Sequence, residues 1–379
     1  MRIVDRGTVF DATKAPADSR FCMFTSLELL SDGKLIVGCR RAVAKASSDE
    51  DVLIRVSEDE GATWRTAFDG FGDYAIDGVT GRMRNVLLTE VSPGRLLGHL
   101  CWMDHSDPSL PMANPDTQGI LPAKLMVAES TDSGSTWHDL REVPLDPPHK
   151  ASVSTGEILV LKDGAFAFPY ESYKEYYDTS VGYHRGALRF STDGGETWPG
   201  DPAVVAHDDE DQRILFWDQR LGVHPEDGRL IALIWTHDRI TERDLAIHVT
   251  WGSPNGKTWE RPVSTGIAGQ IASPLVLPDG SVFAAYVHRH DPPSLRAIVS
   301  DDFGRTWNTT GELAFYESGA GVESGAGGTR DLRQVWEDMG RWTFGHPACR
   351  QLSSGEIMVA YYAGDSNAMG IYWVKIALD

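Results

Sequence analysis

Apolar runs on either side of a glycine-containing turn recur along the whole chain. Segments such as LELLSDGKLIVGC and PLVLPDGSVFAAYV have apolar flanks around an Asp-Gly turn, a pattern typical of a β-hairpin. Six segments of this kind occur, with turn glycines at Gly33, Gly94, Gly164, Gly228, Gly280 and Gly355. The pattern therefore predicts six β-hairpins.

A second pattern, S-x-D-x-G-x-[ST]-W, alternates with these hairpins. It is intact at Ser57–Trp64, Ser130–Trp137, Ser191–Trp198 and Ser300–Trp307. A degenerate copy, Gly252–Trp259, has Pro254 in place of the aspartate. In such a turn the Asp side chain accepts backbone N–H bonds, the Gly supplies a positive φ and the Trp packs between strands. Each copy therefore predicts a tight turn between two further strands.

Two hairpins in every stretch of roughly 63 residues predict a four-stranded antiparallel sheet, repeated six times. Radial packing of such sheets gives a β-propeller. We therefore predict an all-β fold, a six-bladed β-propeller of four-stranded antiparallel blades, formed by residues 1–379 as a single domain.

Both kinds of turn fall on one face of the predicted disc, because antiparallel strands return the chain to the same side. A pocket is expected on the opposite face, where the inner strands converge. The sequence places aromatic, basic and acidic side chains on that face, a mixture suited to sugar stacking, anion pairing and proton transfer. These residues are Arg40, Arg41, Asp49, Arg82, Arg84, Trp102, Asp104, His105, His149, Lys150, Tyr170, Glu171, Tyr173, Phe216, Trp217, Asp218, Gln219, Arg220, Trp235, His237, Asp238, Arg239, Gln270, His288, Arg289, His290, Trp342, Phe344, His346, Tyr361, Tyr362 and Asp365.

The charge of the chain narrows the choice of partners. With 35 basic and 55 acidic residues the formal net charge is −20, which disfavours general binding to nucleic acid or to anionic membranes. An anionic substrate would need a local basic pocket. No stretch approaches the roughly 20 apolar residues of a membrane span. The start, MRIVDRGTVFDATK, lacks the pattern of a signal peptide, so we expect a cytoplasmic chain or one already processed.

Cysteine and histidine spacing gives no sign of a metal or a disulfide framework. Cys22, Cys39, Cys101 and Cys349 lie far apart without C-x-x-C spacing and are expected to be buried free thiols. His288 and His290 would point the same way on a strand, but no third ligand stands at a telling spacing. No metal or cofactor is predicted.

The interleaved patterns resemble the Asp-box (BNR) repeats of the sialidase superfamily, whose members are six-bladed propellers. In that family a hairpin ending in Glu-Gly-Arg is followed by the acid/base aspartate. The similar segment here is Gly38-Cys39-Arg40-Arg41, followed by Asp49, so the resemblance implies Asp49 as the acid/base.

Other family positions carry different residues in this chain. The family's nucleophilic Tyr corresponds to His346, and the Glu that assists it corresponds to Asp218. Two of the three arginines that clamp the substrate carboxylate in the family correspond to Met23 and Trp235. The resemblance therefore implies a sialidase-like protein rather than a true sialidase, with a His346–Asp218 pair acting as a base.

Three functions remain open at this stage. The first is a glycoside hydrolase that cleaves a terminal sugar, neutral or acidic, from a glycan, with His346 or Asp218 activating water and Asp49 protonating the leaving oxygen. The second is a lyase that acts on a uronate-containing glycan by β-elimination, and the third is a glycan-binding propeller without catalysis. The predicted substrate-binding residues are Arg40, Arg41, Arg220, His105, Glu171, Tyr170, Trp217, His237 and Tyr361.

Overall fold

The computed structural model describes residues 1–145, 151–181, 184–207, 213–319 and 328–378. In the described residues the strands form four sheets, and antiparallel pairing within these sheets defines six units, numbered here in chain order; parallel bridges join unit 6 to unit 1 and unit 2 to unit 3. The first strand of the chain is β1 (Arg2–Phe10). Unit 1 contains β2 (Phe21–Leu29), β3 (Leu35–Ala42), β4 (Asp51–Ser57) and β5 (Arg65–Phe68). Unit 2 contains β6 (Tyr74–Ile76), β7 (Val79–Ser92), β8 (Arg95–Asp104), β9 (Ala123–Ser130) and β10 (His138–Glu142). Unit 3 contains β11 (Ala151–Ser154), β12 (Leu159–Val160), β13 (Phe166–Tyr173), β14 (Arg185–Ser191) and β15 (Ala203–Ala206).

The second half of the chain repeats the plan. Unit 4 contains β16 (Ile214–Val223), β17 (Leu230–Asp238), β18 (Arg243–Asp244), β19 (His248–Gly252) and β20 (Val263–Ser264). Unit 5 contains β21 (Ala272–Val276), β22 (Val282–His288), β23 (Ser294–Ser300) and β24 (Leu313–Glu317). Unit 6 contains β25 (Phe344–Gln351), β26 (Ile357–Gly364) and β27 (Met369–Ala377), and β1 pairs with β27 to complete it. Three short 3₁₀ turns span Ala12–Lys14, Ala17–Ser19 and Thr309–Gly311.

The predicted hairpins and tight turns are confirmed. All six turn glycines have a positive φ, between 78° and 87°, and join antiparallel strands. In the turn at Ser130–Trp137, Asp132 Oδ1 accepts the backbone N–H of Thr136 at 2.8 Å, and the indole N–H of Trp137 donates to Gly134 O at 3.1 Å. These local bonds close the outer strand pairs.

One element departs from the all-β prediction. Helix α1 (Leu332–Arg341) lies between β24 and β25 and begins with a capping box formed by Asp331 and Gln334. The fold is therefore mostly β with one α-helix in the residues that the structure describes. No described helix is long and apolar enough to cross a membrane.

The first strands of different units meet one another. Arg350 of β25 contacts Glu28 of β2 at 2.9 Å and Glu157, just before β12, at 2.6 Å. The backbone N–H of Leu88 in β7 donates to Ser26 Oγ of β2 at 2.9 Å. Apolar side chains fill the space between neighbouring units, where all four cysteines are buried and unpaired, as expected.

Candidate active site

A cavity of about 780 Å³ is bounded by all six units and by α1. Arg40, Glu171, Asp218 and His346, which the sequence analysis assigns to one face, are among the residues that line it. The cations in its wall are Arg40, Lys45, Arg84, Arg220, Arg289 and Arg333. The other titratable side chains are Cys101, His105, Glu171, Tyr173, Asp218, Glu337, His346 and Tyr362. His149 and Lys150, which the sequence assigns to the same face, lie outside the described residues.

Backbone bulges present three side chains to the cavity. Phe24, Asp218 and His346 have φ values of 56°, 48° and 44°, and each lies in a register shift where the first strand of its unit has one extra residue. A positive φ in a non-glycine residue is uncommon and concentrates at functional sites. The bulge turns each side chain into the cavity. Phe24 therefore lines the cavity in unit 1, whereas Met23, to which the resemblance pointed, is fully buried.

Arg220 stands between the two residues expected to form a base. Its Nη2 donates to Asp218 Oδ1 at 3.3 Å and to His346 Nδ1 at 3.1 Å. Because a guanidinium can only donate, His346 Nδ1 accepts, and a neutral imidazole then carries its proton on Nε2. Burial, together with the positive charges of Arg220 and Arg289, lowers the pKa of His346 well below its usual value. This geometry presents His346 as a neutral N–H donor, with Arg220 between it and Asp218, and the expected role of the His346–Asp218 pair as a base stays a prediction.

Two carboxyl groups share the next part of the wall. Glu171 is fully buried, and its Oε1 and Oε2 accept the Gln219 N–H at 3.1 Å and the Tyr173 hydroxyl at 3.0 Å. Burial, and then the negative charge of Asp218, raises the pKa of Glu171 well above its usual value. Burial also raises the pKa of Asp218, but the charge of Arg220 opposes this. Glu171 therefore retains a proton more readily than Asp218 does.

A second carboxylate, Glu50, organises the opposite wall. It forms ion pairs with Arg40 and with Arg84 at 2.6 Å and a hydrogen bond with His105 Nε2 at 2.9 Å, and it is fully buried. Burial opposes its ionisation, but the charges of Arg40 and Arg84 hold the pKa of Glu50 well below its usual value. Arg40 also donates to the carbonyls of Lys45 at 2.6 Å and Ser47 at 3.3 Å. Arg40 and His105 line the cavity, but their hydrogen bonds mainly hold the loop after β3.

Asp49, the expected acid/base, does not line the cavity. Its Oδ1 accepts the Ser47 hydroxyl at 2.5 Å and the Val43 N–H at 3.4 Å, so the carboxylate faces its own loop.

Five of the predicted substrate-binding residues lie outside the cavity wall. Arg41 pairs with Asp69, and Tyr361 packs among other aromatic rings. Tyr170 is fully buried, Trp217 packs 4.7 Å from the Trp235 ring, and His237 bonds to Asp244 at 2.9 Å. The physical reason is alternation along a strand: Arg40, Glu171 and Tyr362 face the cavity, so their neighbours Arg41, Tyr170 and Tyr361 face away.

Several cavity residues were not selected from the sequence. Arg84, Tyr173, Arg289 and Tyr362 belong to the expected face, and alternation with a selected neighbour could have found Tyr173 and Tyr362. Lys45 and Trp336 were not considered. The helix that carries Trp336 has a sequence signal, the capping box of Asp331 and Gln334.

Two further features concern Lys45, which lines the cavity, and the possible metal ligands His288 and His290. Burial, and then the charges of Arg289, Arg40 and Arg84, lowers the pKa of Lys45 well below its usual value. The rings of His288 and His290 lie 5.2 Å apart. In the described part of the chain, no three His, Cys, Asp or Glu side chains are grouped as metal ligands.

The family of BNR repeat-like domains matches residues 109–359. This chain belongs to that family. No curated protein sequence matches it. Among solved structures, this BNR protein is similar to a protein of unknown function from Dyadobacter fermentans, with 19% identity and a TM-score of 0.70 over 99% of this chain and 98% of that one.

Two sialidases show the same fold. Hadza microbial sialidase Hz136 is 18% identical with a TM-score of 0.68, and the match covers 98% of this chain and 68% of the sialidase. The intramolecular trans-sialidase from Ruminococcus gnavus is 12% identical with a TM-score of 0.65 over 98% of each chain. The BNR protein therefore has a sialidase-like fold, and the resemblance seen in its sequence is confirmed.

Proposed function

We propose that this protein is a glycoside hydrolase that cleaves the bond to an acidic sugar of a glycan. The observation that carries the proposal is the cavity itself. In a chain of net charge −20, Arg40, Lys45, Arg84, Arg220 and Arg289 surround a pair of carboxyl groups with raised pKa values. A concentration of positive charge in an acidic protein favours an anionic ligand.

We infer that the six units are the blades of a six-bladed propeller and that the described chain is one domain. Support comes from β1, which completes unit 6, and from Arg350, which joins units 1, 3 and 6. A sialidase-like fold is consistent with this arrangement.

Arg220 and Arg289 are the proposed contacts for the acid group. Arg220 Nη1 is buried and has no hydrogen-bond partner among the described residues. Arg289 Nη1 likewise makes no hydrogen bond of good geometry within that part of the chain, although Tyr362 interacts with the guanidinium electrostatically. A carboxylate between them would satisfy two buried donors.

Glu171 and Asp218 supply the proposed proton chemistry. Glu171, the more readily protonated of the two, donates a proton to the departing glycosidic oxygen. Asp218, which Arg220 keeps ionised, either removes a proton from attacking water or attacks the anomeric carbon. His346 donates from Nε2 to a sugar oxygen, and Trp336, 6.0 Å from the Tyr173 ring, offers an aromatic face.

β-Elimination is the second candidate. The same arginines could neutralise a uronate carboxylate, and Asp218 lies beside Arg220, where a base for the adjacent C–H would stand.

Product chemistry tests the proposal. The protein is incubated with fluorogenic sialosides and glucuronides and with uronate-containing oligosaccharides. We expect new reducing ends without ultraviolet absorption. An unsaturated product absorbing in the ultraviolet would establish the lyase instead, and binding without either product would indicate a glycan-binding protein.

Substitution of Asp218 tests the assignment of roles. Asp218→Asn should lower kcat/KM by about 10²–10⁴-fold, because it removes the base, while the thermal midpoint is retained. The matched control is Asp163→Asn, whose carboxylate only accepts the Ala165 N–H of a distant turn at 3.0 Å. Near-normal activity in Asp218→Asn would exclude this mechanism.

The pH profile provides an independent check. Activity should fall at low pH as Asp218 is protonated, and at high pH as Glu171 loses its proton, giving a bell shape with both limbs above ordinary carboxyl values. His346 should add no limb near its usual pKa, because its pKa is lowered. In Glu171→Gln the alkaline limb should disappear together with most of the activity. An alkaline limb that persists would transfer the acid role to another group.

A further inference from the structure

The segment that precedes β25 forms one wall of the cavity. Residues 328–343, called the strap here, contain α1. Arg333, Trp336, Glu337 and Met339 of the strap line the cavity. The strap therefore belongs to the site even though it lies outside the six sheets.

A buried ion pair anchors the strap to unit 4. The Arg330 side chain is only 8% exposed; its Nη2 contacts Asp244 Oδ2 at 2.5 Å and its Nη1 contacts Asp338 Oδ2 at 3.0 Å. The Arg330 N–H also donates to Glu242 O at 2.6 Å. Breaking a buried ion pair from one side is costly, because it leaves the partner charge uncompensated.

Asp244 connects this anchor to the cavity through Gln270. His237 and Gln270 Nε2 both bond to Asp244 at 2.9 Å, and Gln270 Oε1 accepts Arg289 Nε at 3.1 Å. The carboxylate only accepts and the guanidinium only donates. The Gln270 amide therefore has one orientation that satisfies both neighbours, and neither Glu nor Leu can replace it.

The strap holds Arg289 from its other side. The Arg289 guanidinium lies 4.1 Å from the Trp342 ring centre, and its Nη2 donates to Phe344 O at 2.8 Å. Lys45 donates to the carbonyl of Trp342. The strap thus contacts Arg289 directly through Trp342 and indirectly from Arg330 through Asp244 and Gln270.

We propose that Gln270 is a positioning residue that couples docking of the strap to the orientation of Arg289. Docking of the strap fixes Arg289 for binding, and an anion bound at Arg289 stabilises the docked strap, because such coupling is reciprocal. The second half of this statement rests on the proposed binding of an acidic sugar. The first half concerns the ligand-free protein alone.

Amide hydrogen exchange in the ligand-free protein tests the coupling directly. Gln270→Leu should speed the exchange of α1 amides at least about tenfold, while amides of β3 and β4 stay unchanged. Gln270→Glu retains an acceptor for Arg289 but sets a second acceptor against Asp244, so it should loosen α1 as well and serves if the leucine variant does not fold. The matched control is Gln351→Leu, whose side chain bonds only to Gly355 O at 3.2 Å in a distant turn. Unchanged α1 exchange in a folded Gln270 variant would overturn the proposal.

Calorimetric titration with N-acetylneuraminic acid and D-glucuronic acid tests whether Gln270 also affects ligand binding. Whichever sugar binds the wild type should bind Gln270→Leu at least about tenfold more weakly and should protect α1 less. Equal affinity in the variant would contradict the positioning role. If neither sugar binds the wild type, the acidic-sugar function fails, and the ligand-free exchange still decides the coupling.

Discussion

The Asp-box turns and the cavity bulges use the same backbone conformation for opposite purposes. Glu60, Ser133 and Phe303 in the boxes have φ values of 55° to 56°, and Phe24 and His346 in the bulges have 56° and 44°. In the boxes this conformation closes a turn, and residues as different as Glu60, Ser133 and Phe303 adopt it. In the bulges it aims a side chain into the cavity. The Asp boxes thus repeat both their residues and their backbone conformation, whereas the cavity bulges repeat only the backbone conformation.

The difference follows from where the hydrogen-bond partners come from. Every partner of Asp132 lies within four residues, so the same letters give the same turn wherever they recur. Arg220 and His346, which form a hydrogen bond, are 126 residues apart. The negative charge of Asp218 raises the pKa of Glu171, which belongs to another unit. The hydrogen bonds of the Asp box therefore recur from copy to copy within this chain, whereas each cavity residue contacts a different set of neighbours.

Glu50 shows that the cavity wall also contains residues whose main role is structural, as in the Asp-box turns. Glu50→Gln should lower the free energy of unfolding by about 3–5 kcal/mol, because it leaves the fully buried Arg40 and the partly buried Arg84 without their carboxylate. Denaturant unfolding measures this. Because the pKa of Glu50 is lowered in the folded state, its contribution is complete above its unfolded pKa of about 4.3 and is lost as the pH falls below that value.

The control is Glu58→Gln, which removes a carboxylate paired with Arg65 on the surface, where both side chains are more than half exposed. That loss should stay below about 1 kcal/mol. Equal losses at Glu50 and Glu58 would mean that the cavity wall is not braced by Glu50.

Asp132 sharpens the other half of the comparison. Asp132→Ala should cost about 1–2 kcal/mol of stability, because it removes acceptors for the backbone N–H groups of Ser135 and Thr136. Its kcat/KM should equal that of the wild type, since the turn lies at the far end of the strands from the cavity. A tenfold loss of activity in the folded variant would show that the two ends are coupled.

The repeats made most of the fold predictable. Glycine turns and Asp boxes gave the hairpins, and counting back from Gly228 and Gly355 located Asp218 and His346 at the bulges. The side of each strand was not predictable in the same way. Units pack on both faces, so a strand such as β17, LIALIWTHD, is buried at every position and shows no alternation. Tyr361 and Tyr362 are both buried, and only the assembled sheets separate them.

The sequence also did not predict which carboxylates pair with the basic side chains of the cavity wall. Glu50 and Asp49 are adjacent carboxylates in one loop, and the resemblance pointed to Asp49. The structure gives Glu50 three basic neighbours and turns Asp49 back on Ser47. Those neighbours include Arg84 and His105 from another unit, so the sequence of the loop could not distinguish the two carboxylates.

Substitution of Arg41 should have the smallest effect, and it tests which side of β3 faces the cavity. It follows Arg40 directly, but its side chain pairs with Asp69, which is 67% exposed, instead of reaching Glu50. A pair so open to solvent contributes little, because water screens the charges and two long side chains lose freedom. Arg41→Gln should therefore change the free energy of unfolding by less than about 1 kcal/mol and leave kcat/KM unchanged. Unfolding curves and steady-state rates, measured beside those of Arg40→Gln, make the comparison within one strand. If Arg41→Gln lost activity while Arg40→Gln kept it, the side of β3 that faces the cavity would be the opposite of the one described.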